Sequence, residues 1–221
     1  MARGRHPTRI HIDPPDAQTA AKYLYCWHGC DLFREPHRLP RLTSRELFGN
    51  DRPLEIDFGC GKGILACSRA GQYPEINVVG IDQSQKPLFC AVRDAAELKL
   101  ENIKFVRGDF YAMLPLLQPG TVNKAYYLFP NPPHNIYLSR ANVRRRLFLQ
   151  GIHDALIPGG LFYFATDVPS YFECMYDILK NSIMFRTPDS ANVDSGISTP
   201  YRQMWEQKGR PFRSIVVEKG I

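Results

Sequence analysis

The chain has 221 residues, 44% hydrophobic and 23% charged, which is the make-up of one soluble domain with short additions and excludes a disordered or collagen-like chain. Lys and Arg total 28 against 22 Asp and Glu, a net +6 that permits an anionic partner such as RNA without requiring one. No stretch approaches the ~18 apolar residues of a membrane span, the longest compact run being Leu161 to Ala165. The basic start (Arg3, Arg5) leads into no apolar signal segment, so a soluble cytoplasmic protein is expected. The six cysteines lack C-x-x-C spacing and read as reduced small hydrophobes. Cys26, His28 and Cys30 form the only metal-like cluster, and without a second ligand pair no metal is expected.

Residues 1–50 are broken by Pro14, Pro15, Pro36 and Pro40, and a helix is expected only within 17–28. The segment reads as an N-terminal extension, 1–50, preceding a domain at 51–221. From Pro53 onward short apolar runs predict strands at 54–58, 77–81, 103–106, 124–129, 161–165 and 214–218. Between them helices are predicted at 62–71, 85–99, 140–156 and 169–181, with Pro158, Gly159 and Gly160 closing the third. Such alternation predicts an α/β fold, a doubly wound and mainly parallel sheet with helices on both faces. The polar, turn-rich stretch 186–200 suits either a surface loop beside a site or an uninvolved connector.

The first strand runs into Asp57 and then Gly59, Gly61 and Gly63, which let backbone approach a ligand. A dinucleotide fingerprint needs a glycine where Ile64 stands, and a phosphate-binding loop needs Ser or Thr after Lys62, where Gly63 stands. The pattern D-x-G-x-G-x-G resembles the first motif of class I S-adenosylmethionine-dependent methyltransferases. That resemblance implies S-adenosyl-L-methionine as cofactor, with Asp57 meeting its cationic amino-acid end and Gly59 to Gly63 leaving room for the methionine chain. Asp82 ends the next strand about 25 residues on, where a carboxylate can accept from both ribose hydroxyls. Asp109 follows the third strand, placed to accept from the adenine amino group, with Phe110 to cover the ring. Any one of these acids also reads as a helix or turn cap. With the glycines, the three together read as a cofactor set.

The fourth strand leads into Pro130, Asn131, Pro132, Pro133 and His134, whose prolines fix the aim of Asn131 where the donated methyl would lie. This segment, with the glycine motif, Gln72 to Asp82, Pro119-Gly120, Phe164 to Asp167 and Thr199 to Gly209, is similar to the tRNA (guanine-N7)-methyltransferase family from about residue 40 to the end. The resemblance implies a class I methyltransferase fold and an ancestor acting on N7 of a tRNA guanine. Asn131 matches the family's catalytic Asp and serves both cofactor and acceptor; Asn135, Asp167, Thr199, Tyr201 and Arg202 fall on the acceptor side.

The departures concentrate there. The family motif Pro-Asp-Pro-Trp is replaced by Pro130 to Pro133, the basic run that follows it keeps only Arg140, and the Glu of Thr-x-Tyr-Glu is Arg202. Carboxylates select guanine by accepting from its N1 and N2 donors, and a mispaired buried polar group costs roughly 1–3 kcal/mol. Asn131 to His134 also resembles the Asn-Pro-Pro-aromatic motif of amino-directed methyltransferases, whose amide aligns a nitrogen lone pair with the methyl. His134 then either stacks on the acceptor, moves a proton, or is a surface loop residue. The residues therefore point first to an N-methyltransferase diverged toward a small nitrogenous or heterocyclic acceptor. The alternatives are retained tRNA methylation, with Arg140 and Arg144 to Arg146 replacing the lost basic run, and a catalytically silent module that binds cofactor or RNA. Three successive helical arginines cannot all face one groove. Tyr137, Tyr171, Tyr201 and Trp205 read either as pocket walls or as core.

Overall fold

A computed structural model describes residues 10–27, 34–132, 137–188, 209 and 211–220. The strands are β1 (Leu24–Cys26), β2 (Leu54–Phe58), β3 (Asn77–Asp82), β4 (Ile103–Arg107), β5 (Val122–Leu128), β6 (Leu156–Thr166), β7 (Phe185–Arg186) and β8 (Arg213–Lys219). They form a single eight-stranded sheet in the order β1-β4-β3-β2-β5-β6-β8-β7. All neighbours are parallel except β6–β8 and β7–β8. The helices are α1 (Ala17–Tyr23), α2 (Ser44–Phe48), α3 (Ile64–Gln72), α4 (Gln85–Glu97), the single turn α5 (Phe110–Met113), α6 (Ser139–Ala155) and α7 (Pro169–Lys180).

Alternate residues of the central strands enter separate cores, because the side-chain period of a strand is two. Ile56, Val79, Ile81 and Val106 pack with Phe148, Leu149 and Ile152 of α6 and with Phe172 and Met175 of α7. Val78 and Phe105 pack on the other face with Ala66 and Ala70 of α3 and with Leu88, Ala91, Val92 and Ala95 of α4. That last set recurs at helical spacing and forms the buried stripe of α4. Every residue of β2 is buried, Glu55 included. Its carboxylate receives two bonds from Arg69 of α3, at 2.8 and 2.6 Å, and one from the Tyr126 hydroxyl at 3.0 Å. Lys124 Nζ stands 3.8 Å from the same carboxylate, and removing Glu55 would leave the buried Arg69 charge without its carboxylate, a change of roughly 3–5 kcal/mol.

Three sequence expectations change, among them that residues 1–50 hold a helix only within 17–28, since α2 spans Ser44–Phe48. The helix predicted within 17–28 stops at Tyr23, and Leu24 to Cys26 turn extended and pair in parallel with Phe105 to Arg107. The outer edge of β4 offers backbone groups that a nearby chain can satisfy, and no local pattern in three residues announces that. Leu42 and Leu47, farther along the extension, are buried in the main core, and α2 is bounded by Thr43, whose side chain accepts from the Glu46 N–H, and by Gly49 at φ +70°. Pro158, Gly159 and Gly160 do not close α6 but lie within β6. Pairing with β5 jumps there from Val122↔Leu156 to Lys124↔Leu161, a bulge in which a Cβ on Gly160 would sit 2.9 Å from the Ile157 carbonyl oxygen.

Candidate active site

The strand order reverses between β2 and β5: the chain runs outward from β2 through β3 to β4, then returns to the other side of β2. Such switch points open a crevice at the carboxyl ends of the strands. The loop after β2 is tied to the tip of β3. The N–H groups of Gly59 and Cys60 donate to the Ile81 carbonyl at 2.8 and 3.0 Å, and the Gly61 N–H donates to Asp82 Oδ2 at 2.9 Å. Asp82 Oδ1 accepts from the Ser84 N–H at 2.7 Å. Each oxygen thus spends one lone pair on the backbone and keeps another for a ligand hydroxyl. The turn-capping alternative for Asp82 is realised without using up the carboxylate.

Gly59 and Gly61 hold φ of +77° and +56°, with nothing within 4 Å of an added Cβ. They are needed for backbone conformation, and they border open space. Gly63 differs. A Cβ there would meet Ala91 Cβ at 2.6 Å and Phe105 at 3.0 Å, so this glycine lets α3 close onto α4 and β4. Close packing is thus a demand on Gly63 beside its φ of +70°.

A cavity of about 550 Å³ lies above these tips, bounded by Gly59, Gly61, Asp82, Asp109 and Phe110 on one side and by Asn131, Arg144 and Arg145 on the other. Asp57 opens instead into an adjoining recess with Gly59, Cys60 and Leu128. Its side chain is buried, and burial together with the neighbouring charge of Asp82 pushes its carboxyl up to about 7. The recess is small, about 10 Å³, room for about one water, so a cation held at its mouth would restore the charged form. Asp109 is exposed, and its Oδ1 accepts from the Tyr111 N–H at 2.9 Å, capping α5; cap and cavity wall are the same residue. The Phe110 ring stacks on Tyr111 at 4.6 Å and meets Phe58 and Tyr127 edge-on at 5.9 and 5.5 Å. The surface that Phe110 offers is held from below by core aromatics. These residues suit a ligand with a cationic amino-acid end, a diol and a flat ring, the chemistry of S-adenosylmethionine.

Across the cavity β5 ends at Leu128 and Phe129 takes φ +51°. A left-handed conformation at a bulky residue costs about 1–3 kcal/mol and persists only where its surroundings enforce it. Here the Phe129 N–H donates to the Ala165 carbonyl at 2.7 Å and the ring meets Phe212 at 5.4 Å. The twist turns the chain so that Phe129, Pro130 and Asn131 all line the cavity, Asn131 exposed at its rim. Sequence reasoning missed Phe129, since its place before a proline favours extended backbone and gives no sign of a positive φ.

Arg144 and Arg145 line the cavity, the former with its guanidinium 5.1 Å from the centre of the Tyr111 ring. Arg146 faces a groove on the other flank of α6, as helical geometry demands. Tyr111 and Arg144 join the site only through the folding of α5 against α6. Asp167 is half-buried beyond β6 and is not a wall of the cavity, and the N-cap of α7 is Val168. Tyr171 is core, its hydroxyl 3.5 Å from that of Tyr127, and Tyr137 borders the second groove. His134, Asn135, Thr199, Tyr201, Arg202 and Trp205, with the stretch 189–200, lie outside the described residues. Cys26 is exposed, while His28 and Cys30 lie outside the described set. Among the described residues no three His, Cys, Asp or Glu side chains are grouped to hold a metal, and no helix is long and apolar enough to cross a membrane.

Residues 51–215 match the model of a family described as "Putative methyltransferase". The tRNA (guanine-N(7)-)-methyltransferase of Rubrobacter xylanophilus is 38% identical over 91% of this chain and 92% of its own length. The enzyme of the same name from Chloroherpeton thalassium is 34% identical over 98% of each. Among solved structures, the 16S rRNA methyltransferase KamB superposes with a TM-score of 0.57 at 16% identity, covering 83% of this chain and all of that one, a likeness of fold.

Proposed function

We propose that this chain, a methyltransferase belonging to the tRNA (guanine-N7)-methyltransferase family, transfers the methyl group of S-adenosylmethionine to N7 of a guanine in tRNA. The observation that carries the reading is the 38% identity to an enzyme of that name across 91% of the chain. It weighs against the small nitrogenous acceptor, which rests on the Asn131 to His134 motif, the thinned basic run after it and Arg202.

S-adenosylmethionine supplies an electrophilic methyl on a sulfonium. Asp57 provides the negative charge for its ammonium, Asp82 accepts from its ribose hydroxyls, and Asp109 and Phe110 take the adenine. Gly59 and Gly61 keep side chains out of the way. Guanine N7 carries no proton, so its lone pair needs aim rather than a base. An amide meets that need. The N7 edge also bears the O6 acceptor, and the Asn131 side chain can donate an N–H to it, which a carboxylate cannot. The substitution of Asn for Asp is thus compatible with guanine as acceptor. Arg144 and Arg145 at the cavity, with Arg140 and Arg146 on the same helix, supply the cations for phosphate.

The test is incubation with methyl-labelled S-adenosylmethionine and unmodified tRNA transcript, followed by nuclease digestion and mass spectrometry. The expected product is 7-methylguanosine. Label entering compounds of a small-molecule extract while tRNA stays unlabelled would overturn the tRNA reading and favour the small acceptor.

A further inference from the structure

A second groove, of about 740 Å³, lies on the opposite flank of α6 from the active-site cavity, between that helix and α7. Its walls differ chemically. The α6 side presents Asn142, Arg146 and Gln150; the α7 side presents Asp177 and, beyond the helix end, Ser182; Tyr137 and Ile183 stand at the rim, exposed by 74% and 97%. The groove therefore offers a cation for an anion, a carboxylate for N–H donors, and aromatic and aliphatic surface for a flat ring.

Arg145 lines both this groove and the active-site cavity. Its side chain is only 4% exposed, so its position is set by the core, and it forms a fixed cationic point common to the two. On the helix Ala141 and Arg144 look toward the cavity, and Asn142, Arg146 and Gln150 toward the groove. A helix with its side chains is about 10 Å across, within reach of one or two nucleotide repeats of an extended strand. A strand whose target base enters the cavity has its neighbouring nucleotide delivered to the groove, with α6 beneath the linking phosphate.

We propose that the groove between α6 and α7 is a second nucleotide subsite, which binds a ribonucleotide adjacent to the methylated one. Arg146 takes its phosphate, Asp177 accepts from base N–H groups, and the Tyr137 ring stacks on the base. The proposal rests on the RNA reading of the active site and deepens it, by making the substrate an opened strand held at two points. A base-paired stem cannot present neighbouring bases to two separate pockets.

The experiment is steady-state methylation of tRNA transcript by the full chain and by three variants, with S-adenosylmethionine affinity measured calorimetrically on each as the check of folding. Arg146→Glu removes the cation, Asp177→Asn the carboxylate charge, and Gln150→Trp fills the groove without altering charge. KM for tRNA is expected to rise about tenfold in Arg146→Glu, the effect of about one phosphate contact, and several-fold in the other two. Cofactor affinity should stay within about twofold in all three. A raised KM in Arg146→Glu with a normal KM in Gln150→Trp would reduce the arginine to open-surface attraction and overturn the subsite. Normal KM values in all three variants would do the same, and a change of oligomeric state accompanying the rise would reassign the groove to a protein contact. A wild-type chain that binds cofactor but leaves tRNA unmethylated defeats the RNA reading itself, an outcome separate from the others.

Discussion

The two sides of the cavity are built on different principles. On the side proposed for the cofactor, Asp57, Asp82 and Asp109 stand at or just beyond the tips of three parallel strands, β2, β3 and β4. Their loops are cross-tied by backbone bonds, as where Gly61 and Ser84 donate to Asp82. On the side proposed for the acceptor, Asn131 hangs from a loop whose direction depends on one left-handed residue, Phe129, held by Ala165 and Phe212. The first arrangement is rigid because Asp57 and Asp82 belong to regular ladders and Asp109 caps α5. The second is adjustable, since a change at one or two loop positions re-aims the acceptor contacts without touching the sheet. Such a contrast lets the loop at Asn131 change while the glycine motif and its acids stay in place.

Removing Asp82 should have the largest effect. The Asp82→Ala variant loses two ligand acceptors and the anchors of Gly61 and Ser84 N–H. At about 1.5–3 kcal/mol for each of two charged hydrogen bonds, calorimetry should record a loss of at least roughly 100-fold in S-adenosylmethionine affinity. An unchanged affinity would remove Asp82 from the ribose site.

Next comes the acceptor side, where Asn131→Ala should lower kcat by about 100-fold, the scale of one lost transition-state donor, with a far smaller change in cofactor affinity. A kcat equal to wild type would take Asn131 out of the alignment of the acceptor.

Asp57 sharpens the comparison through pH. Its carboxyl is pushed up to about 7 by burial and by Asp82, against about 3.9 in an unfolded chain. Between those values the folded protein holds a proton that the unfolded chain has released, so this group favours folding below about pH 4, and that contribution is lost as pH rises through 7. Cofactor affinity has the opposite trend. A cation requires the ionised carboxylate, so calorimetric affinity should rise about tenfold from pH 6 to pH 8. Asp57→Asn should flatten this profile, weaken binding at pH 8, and raise the melting temperature of the cofactor-free protein there. A wild-type profile that is already flat would remove Asp57 from the ammonium site.

Phe129→Gly should have the smallest effect. Glycine takes positive φ without strain, and the lost contact with Phe212 offsets that gain, so the melting temperature should move by only a few degrees. The turnover number is expected to fall about three- to tenfold because Asn131 loses its fixed approach. Undiminished kcat would show that the prolines alone aim the loop.

Much of the cofactor side is legible in the chain. Strand β2 matches its predicted span of 54–58 residue for residue, β3 and β4 extend theirs by one residue each, and α4, α6 and α7 begin within a residue of expectation. Their signals are local: an apolar run, a polar break, a stripe at helical spacing. Local signals do not reach the edges of the sheet. Strand β1 exists because β4 has a free side, and the bulge at Gly160 because β5 lies against it. Gly63 illustrates the same limit within a motif, since its sequence context matches Gly59 and Gly61 while its neighbours Ala91 and Phe105 come from elsewhere in the chain.

The sequence by itself determined the α/β alternation, the glycine loop with its three acids, and membership in a methyltransferase family, because each is written in residues close together or at regular spacing. Only the tertiary structure decided that Asp57 has its own recess beside Asp82, that Phe129 bends the acceptor loop, and that Arg145 lies between a cavity and a second groove. Those properties depend on distances between side chains from different strands and helices. A carboxylate's charge state, a strained turn and a shared wall have no local pattern to announce them.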